Sequence, residues 1–222
     1  MSAVLTSIQV GRVAWHGTPG ATNPHDRAWS TGFFKSPVAG PVRVGLTNLD
    51  GDEQADLRVH GGPEKAVLAY SADHYPAWRS ELARPDLPFG AFGENLTVSG
   101  LTEADVCIGD VWRVGGVVLA VTQPRQPCWK LARRWRLTDL PGRVVKTGRS
   151  GWYFRVADVG EIEAGMPLER LDRPNPEWSV ERANRVMYQE RDDGAAAAEL
   201  AAVPGLSESW RFEMRERAAN LG

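Results

Sequence analysis

The stretch VTQPRQPCWK, residues 121–130, passes from one kind of structure to another within a few residues. A β-branched run typical of a strand stops at a proline, and an arginine and a cysteine follow, separated by a second proline. A tryptophan and a lysine then begin a helical pattern that continues to residue 137. The stretch therefore predicts a strand, a rigid turn and a helix, with Cys128 where the turn meets the helix.

Similar β-type runs recur along the first 172 residues, with Gly-Asp or Pro-Gly turn signals between many of them. Few helical stretches interrupt them; one is 71–82, where Ser71 suits a helix start. The runs are VLTSIQV, RVAWHG, GPVRVGL, EKAVLAY, ENLTV, DVWRVGG, VVLAVTQ, GWYFRVADVG and MPLERL. This pattern favours a mainly β fold, with a closed or partly open β-barrel and a few short helices, over alternating β-α-β units.

A change of composition divides the chain near residue 172. The polar stretch 172–179 contains two prolines and is typical of a linker, and helix-forming residues follow it. The predicted N-caps of three short helices are Ser179, Asp193 and Ser207. We expect a barrel domain at 1–172 and a three-helix appendage at 173–222. Because short helices bury little surface alone, the appendage should pack on the barrel or on a second subunit, which would make a homodimer.

The composition argues against several classes of protein. The chain has 222 residues, a formal net charge of −2 and 42% hydrophobic residues, which is not typical of a general nucleic-acid or membrane binder. The N-terminus lacks the pattern of a signal peptide, and no apolar run approaches the roughly 20 residues that span a bilayer. Two cysteines, Cys107 and Cys128, make a poor disulfide framework. We expect a cytoplasmic protein with free thiols.

Cys128 is the sharpest candidate for chemistry. A helix start and nearby cations stabilise the thiolate, the form that attacks electrophiles or binds a soft metal. Arg125 lies three residues before Cys128 and Lys130 two residues after it. A small buried side chain at a strand-to-helix junction explains the position equally well. Cys107 lies in an apolar run, where core packing is the better interpretation.

Positive charge is concentrated around Cys128. Residues 125–149 hold eight basic side chains against one acid, Asp139, in a chain of negative net charge. Such a segment could bind a phosphate or another anion, and a nucleic-acid backbone would fit the same charges. A solvated helix face is the alternative for several of the eight. Because the rest of the chain is acidic, we expect a small anionic molecule and not a nucleic acid.

Residues 60–65, HGGPEK, form a second candidate segment. Two adjacent glycines permit positive φ angles and bring backbone amides close to an anionic ligand. His60 could donate or accept a hydrogen bond, and Lys65 could meet a phosphate or an oxo group. A tight turn with a structural histidine is the alternative. The histidine and cysteine spacings of protein-only metal sites do not occur in the sequence.

Several stretches taken together resemble the MOSC domain, named for the C-terminal domain of molybdenum cofactor sulfurases. The resemblance is closest to the bacterial YiiM-like branch and covers most of residues 1–172 in order. The stretches are FFKSPVAGPV (33–42), GDEQADLRVHGGPEKAVLAYSADHYPAW (51–78), FGENLTVSGLTEADVCIGD (92–110), QPRQPCWKL (123–131) and KTGRSGWYFRVADVGEIEAGMPL (146–168). The three-helix tail also resembles that branch, so the resemblance extends to nearly the whole chain.

The resemblance implies a β-barrel that holds a molybdenum–pyranopterin cofactor, with Cys128 as the protein ligand to molybdenum. It implies catalytic roles for Cys128, Lys65 and His60. It further implies that Lys35 and Arg125 meet the phosphate or pterin, and that Asn95 and Tyr153 meet the pterin edge. The implied cofactor-binding set is Lys35, His60, Gly61, Lys65, Asn95, Arg125, Cys128 and Tyr153. For Lys35, Asn95 and most of the others, an ordinary turn or strand residue is the alternative.

The resemblance also implies an activity. Related MOSC proteins reduce N-hydroxylated bases and amidoximes, so we expect a molybdenum-dependent oxidoreductase that converts N-hydroxylated compounds such as hydroxylaminopurines to amines. Two cysteines cannot hold a four-cysteine iron–sulfur cluster, so electrons must come from a separate reductase, which we expect to be a flavoprotein. Two alternatives remain: a sulfur carrier with a persulfide on Cys128, and a cofactor-binding module without turnover.

Overall fold

A computed structural model describes residues 3–58 and 60–221 of the chain. The strands are β1 (Val4–Val10), β2 (Ala14–His16), β3 (Trp29–Thr31), β4 (Ser36–Pro37), β5 (Val42–Val44), β6 (Val67–Ser71), β7 (Leu96–Ser99), β8 (Val111–Val114), β9 (Val117–Pro124), β10 (Trp152–Asp158), β11 (Gly160–Ile162) and β12 (Leu168–Asp172). The α-helices are α1 (Tyr75–Glu81), α2 (Trp129–Trp135), α3 (Leu140–Thr147), α4 (Val180–Tyr188), α5 (Gly194–Ala202) and α6 (Glu208–Leu221). Short 3-10 helices lie at Pro63–Lys65 and Ala72–His74.

The main sheet has eight strands in the order β12-β8-β9-β10-β6-β7-β1-β4. Neighbouring strands are antiparallel, except that β6 and β7 run parallel. Strand β10 lies between β9 and β6, and its register with β9 places Tyr153 opposite Gln123 and Trp152 opposite Pro124. The end of β9 therefore lies beside the start of β10, and the turn that leads to Cys128 leaves from this point.

The sheet is not closed into a barrel, so the expectation of a closed barrel is corrected. In the part of the chain that the structure describes, strand pairing runs from β12 at one edge to β4 at the other without a ladder that joins them. The start of β1 meets the start of β12 at one bridge, Val4 with Pro167. Three backbone hydrogen bonds support it: Leu5 N–H to Met166 O at 2.9 Å, Gly165 N–H to Leu5 O at 2.7 Å and Leu168 N–H to Ala3 O at 3.0 Å.

The fold is mixed and sheet-rich, and not mainly β as expected. Helices α1 and α2 lie where the sequence predicts them, and the Ser71 hydroxyl accepts from Asp73 N at 3.2 Å. Helix α3 was not predicted from the sequence, and its Pro-Gly pair is a combination that also occurs in turns. Its proline stands in the first turn, where a missing N–H costs nothing, and Gly148 ends the helix at φ +69°. Among the helices described, none has the length and apolar character needed to cross a membrane.

Helices α1, α2 and α3 pack on one aromatic core beside the sheet. Its fully buried members include Tyr70, Trp78, Phe92, Leu131 and Val144. The Tyr70 and Phe92 rings stack with centroids 4.4 Å apart, and the Trp78 Nε1–H donates to the Tyr70 hydroxyl at 2.6 Å. This core holds Leu131 of α2 in place and so fixes the helix whose first residue follows Cys128.

The three C-terminal helices pack on the sheet within a single hydrophobic core. Trp178, Val186, Leu200 and Trp210 belong to the same buried cluster as Leu119 of β9. Each predicted N-cap accepts a hydrogen bond, as the Arg182, Ala196 and Trp210 amides donate to Ser179, Asp193 and Ser207 at 3.0, 2.8 and 3.4 Å. The division at residues 172 and 173 stays a prediction.

Candidate functional site

A cleft opens where β9 ends, and we call it the Cys128 cleft. It has about 600 Å³ of empty space, counted to its open mouth, which is within the usual size of a small-molecule site. The eight predicted site residues all line it, namely Lys35, His60, Gly61, Lys65, Asn95, Arg125, Cys128 and Tyr153. Residues far apart in sequence are thus brought together, although their assigned roles stay predictions.

Cys128 stands at the N-cap position of α2 and is half-buried. The turn before it is anchored to the residue that precedes β10, because the Arg125 N–H donates to Gly151 O at 3.0 Å. The Leu131 N–H donates back to Cys128 O at 3.2 Å and begins the helix. The other thiol, on Cys107, is buried at a bridge to Ser179 and not within a strand, and burial raises its pKa. The strand-turn-helix prediction for this stretch is confirmed.

Arg125 has an incompletely satisfied guanidinium. Its side chain is 3% exposed, and Nη2 donates to Phe92 O at 3.2 Å. The buried Nη1 has no hydrogen-bond partner within the described residues. A buried donor without a partner costs free energy, so Arg125 is poised to bind an acceptor that enters the cleft.

His60 is the second cleft residue with an unused polar atom. Its Nδ1 is buried and finds no partner in the part of the chain that is described. Burial, together with the charges of Lys130, Arg125 and Lys65, lowers the pKa of His60 to about 4. The imidazole is therefore neutral at neutral pH, and one ring nitrogen is able to accept a hydrogen bond.

The glycines after His60 have the predicted backbone. Gly61 and Gly62 have φ angles of +79° and +83°, which side-chain-bearing residues rarely adopt. A Cβ atom on Gly61 would lie 2.9 Å from Gln54 Oε1, so this position is also crowded. The segment then enters the 3-10 helix, where burial lowers the pKa of Lys65. The two glycines let the segment pass close to the cleft.

Lys35 lies in the cleft but already has an acidic partner. Its ammonium forms an ion pair with Asp52, whose side chain is fully buried. Asp52 also accepts from Gly11 N at 2.8 Å and from Gln54 Nε2 at 3.1 Å. Burial lowers the pKa of Lys35, and Asp52 opposes that shift. The charge of Lys35 is therefore largely compensated by the protein itself.

Asn95 and Tyr153 differ in how much of their hydrogen-bonding capacity is free. The Asn95 amide is used on both sides: Oδ1 accepts from Leu68 N at 3.2 Å and Nδ2 donates to Gln9 O at 3.3 Å. Burial raises the pKa of Tyr153 to about 12, although Arg125 opposes the shift. Tyr153 is therefore a neutral phenol able to donate a hydrogen bond, whereas Asn95 mainly ties strands together.

Lys130 is a cleft residue that the sequence analysis did not assign to the site. Its side chain lines the cleft and is only 8% exposed. Among the described residues its ammonium forms no salt bridge, and neither does the guanidinium of Arg125. The only signal in the sequence was its place two residues after Cys128. We call Arg125 and Lys130 the cleft cations.

Most of the basic segment 125–149 does not face the cleft. Of its eight basic residues, only Arg125 and Lys130 line it. Arg133 donates to Arg27 O. Four others also have protein partners and are called the partnered arginines: Arg134 with Phe33 O and Gly90 O, Arg136 with Asp26, Arg143 with Asp139, and Arg149 with Glu81. Only Arg125 and Lys130 of the segment are therefore placed to meet a ligand in the cleft, and the expectation that the segment binds a small anion stays a prediction.

Comparison with protein families gives two matches that follow one another along the chain. Residues 56–169 match the MOSC domain, and residues 178–220 match the YiiM-like, 3-alpha helix domain. The first match includes the segments of His60, Asn95, Cys128 and Tyr153. The second covers α4, α5 and α6.

Individual proteins resemble the chain over most of its length. YflK of Bacillus subtilis is 43% identical over 92% of this chain and 92% of its own. A Gibberella moniliformis protein named Reductase is 39% identical over 83% of this chain, which spans 32% of that protein. The crystal structure of YiiM from Geobacillus stearothermophilus superposes with a TM-score of 0.81 at 39% identity, covering 97% of this chain and 99% of that one.

Proposed function

Because the chain belongs to the MOSC family, in its YiiM-like branch, we propose that the Cys128 cleft holds a molybdenum–pyranopterin cofactor and that the protein reduces N-hydroxylated compounds to amines. The observation that carries the proposal is the buried Nη1 of Arg125, a charged donor that finds no partner among the described residues and that shares its cleft with a half-buried thiol. A cleft with these two features suits a ligand that has both anionic groups and a soft metal.

The residues of the cleft fit such a cofactor. Cys128 would supply a thiolate, a soft ligand appropriate to molybdenum. Arg125 and Tyr153 would donate hydrogen bonds to oxygen or nitrogen acceptors, and the backbone at Gly61 and Gly62 leaves room for close approach. The net positive character of the cleft would offset the negative charge of a phosphate-bearing molecule.

When bound, the cofactor supplies a two-electron centre that can take up an oxygen atom. Reduction of an N–OH group to N–H consumes two electrons and two protons and releases water. Lys65 is the candidate proton donor, because burial lowers its pKa and so eases the loss of its proton. His60 is neutral and can accept a hydrogen bond without adding charge.

Electrons would come from outside this chain. The reductase relative extends well beyond the matched region, which supports a reaction that needs additional protein parts. We propose a separate flavoprotein as the donor and a small N-hydroxylated molecule as the substrate, without a role for nucleic acid or membrane. A cytoplasmic location and a homodimer are part of the same proposal.

The test is an activity assay on protein purified from a molybdate-fed host. Reduced viologen serves as the electron donor, and an amidoxime and a hydroxylaminopurine serve as substrates. We expect viologen oxidation that needs the substrate and that yields the amidine or the amine. Protein from a tungstate-fed host is the control and should be inactive.

Two outcomes would replace the proposal. Cyanolysable sulfur on Cys128 without molybdenum would indicate the sulfur carrier. Bound molybdenum and pterin without reduction of either substrate would indicate a cofactor-binding module.

A further inference from the structure

The C-terminal helices reach the walls of the Cys128 cleft. We propose that they position the cleft, and that Glu64, through its contact with the start of α6, holds the His60–Lys65 segment in place. The positioning itself is independent of the proposed function. The expectation that the protein retains less cofactor when this contact is lost rests on the proposed function.

The main contact joins Glu64 to α6. The Glu208 N–H, at the first residue of this 14-residue helix, lies 3.2 and 3.1 Å from Oε1 and Oε2 of Glu64. A carboxylate at a helix N-terminus is stabilised by the free amides and by the helix dipole. Glu64 immediately precedes Lys65, so the contact fixes the part of the segment that enters the cleft.

A buried network continues this contact into the end of β9. The Thr122 hydroxyl donates to Glu64 O at 2.6 Å, and the Ser207 N–H donates to Thr122 O at 3.0 Å. The Ser207 hydroxyl donates to Gln123 Oε1 at 2.7 Å. Thr122, Gln123 and Ser207 are each at most 1% exposed, so these hydrogen bonds are shielded from water. One network thus joins the His60–Lys65 segment, the strand before Arg125 and α6.

Helix α4 makes two further contacts with the cleft walls. The Tyr188 hydroxyl lies near the side chain of Gln126, which stands between Arg125 and Cys128. The Asn184 Nδ2 donates to Ser150 Oγ at 2.8 Å, beside the Gly151 carbonyl that accepts from Arg125 N. The C-terminal helices therefore touch each of the chain segments that carry His60, Arg125 and the start of β10.

The His60–Lys65 segment needs such support because two of its residues are glycines in positive-φ conformations. Glycine gains the most conformational freedom when a contact is lost. The described hydrogen bonds that hold Glu64 are those from Thr122 and from Glu208. Removing the carboxylate should therefore release the segment without unfolding the core.

The test compares Glu64→Ala with Glu64→Gln, which keeps an acceptor oxygen, and with Asp193→Ala as the matched control. Asp193 caps α5 in the same helical segment, and its side chain accepts from Ala196 N at 2.8 Å. Amide hydrogen exchange at residues 60–66 is measured on metal-free protein by mass spectrometry, with β8 amides as the internal reference. Molybdenum per chain is measured on loaded protein.

We expect Glu64→Ala to raise exchange at residues 60–66 at least about tenfold, the effect of losing one charge-assisted hydrogen bond. Glu64→Gln should give a smaller increase, and Asp193→Ala none at these residues. In a protein that retains molybdenum, Glu64→Ala should lower the metal content at least about threefold.

Exchange in Glu64→Ala within about twofold of wild type would overturn the positioning role. A rise of the same size in Asp193→Ala would overturn it too, because general destabilisation would then explain the result. If the wild type itself holds no molybdenum, the proposed function fails, and the exchange data alone decide the positioning role.

Discussion

The cleft cations and the partnered arginines come from the same stretch of 25 residues, 125–149, yet they serve different purposes. Arg134, Arg136, Arg143 and Arg149 each donate to a carboxylate or to a carbonyl of the protein. Arg125 and Lys130 are nearly fully buried and form no salt bridge in the described part of the chain. A dense basic segment therefore does not by itself show where an anion binds. The residues that already pair with the protein must first be told apart from those that do not.

Replacing a partnered arginine should lower the free energy of unfolding, whereas replacing Lys130 should raise it. The largest change is expected at Arg134. Its Nη1 donates to Gly90 O at 2.6 Å and to Phe33 O at 3.0 Å. Arg134→Met should lower the free energy of unfolding by about 2–3 kcal/mol, because buried acceptors lose a charged donor. Urea denaturation of metal-free protein measures this. A change under about 0.5 kcal/mol would mean that the partners of Arg134 contribute little to folding.

The next largest effect is the dependence of stability on pH that is caused by His60 in the cleft. The folded-state pKa of His60, about 4, lies below the ordinary 6.5, so protons bind the unfolded state first as the pH falls. The stability associated with neutral His60 is complete above pH 6.5 and is lost between about pH 6.5 and 4. We expect a loss of about 1–2 kcal/mol, reduced from the full shift because the ring is partly exposed.

Denaturation of metal-free wild type and His60→Gln across this pH range measures the loss. The free energy of unfolding of wild type minus that of His60→Gln should become smaller as the pH falls from 7 to 4. A difference that does not depend on pH would contradict the depressed pKa.

Lys130 should behave in the opposite way to Arg134. Burial of a cation without an acidic partner is costly, so Lys130→Met should stabilise the metal-free protein by about 1 kcal/mol. It should also raise the pKa of His60, since the Lys130 charge is among the causes of its depression. Thermal unfolding and an NMR titration of the ring measure the two effects. Destabilisation by Lys130→Met would remove the distinction between the two sets.

The smallest effect is at the exposed end of the segment. Arg143 pairs with Asp139 at 2.8 Å across one turn of α3, and both side chains are well exposed. Arg143→Ala should lower the free energy of unfolding by at most about 0.5 kcal/mol. Urea denaturation measures this loss, and an NMR titration of the His60 ring should find no change in its pKa. A loss above about 1 kcal/mol would place Arg143 with Arg134 and not with the solvent-exposed charges.

The residues that sequence reasoning placed well were those with a local signature. Cys128 was found from a strand, two prolines and a helix pattern, and Gly61 from the need of a glycine pair for positive φ. Lys130 was missed because burial and the absence of an acidic partner are properties of the folded chain. Lys35 was assigned to the cofactor, although Asp52, 17 residues away, is its partner in the structure.

The same distinction applies to the fold. Alternation and turn residues located most strands, and capping residues located the C-terminal helices. They could not specify how far β1 and β12 pair, which depends on a few backbone hydrogen bonds between residues 3–5 and 165–168. The expectation of a closed barrel was therefore wrong. Helix α3 was missed. A Pro-Gly pair occurs both in turns and in the first turn of a helix, and the aromatic core on which α3 packs is formed by residues that are distant in sequence.

The most direct test of the account is the molybdenum content of purified protein from a molybdate-fed host, measured for wild type, Cys128→Ser and Cys107→Ser. Serine keeps the size of the side chain but not the soft thiolate, and Cys107 is a thiol buried away from the cleft. We predict about one molybdenum per chain in wild type and Cys107→Ser, and less than about a tenth of that in Cys128→Ser. Equal molybdenum in wild type and Cys128→Ser, or none in wild type, would contradict the assignment of this cleft.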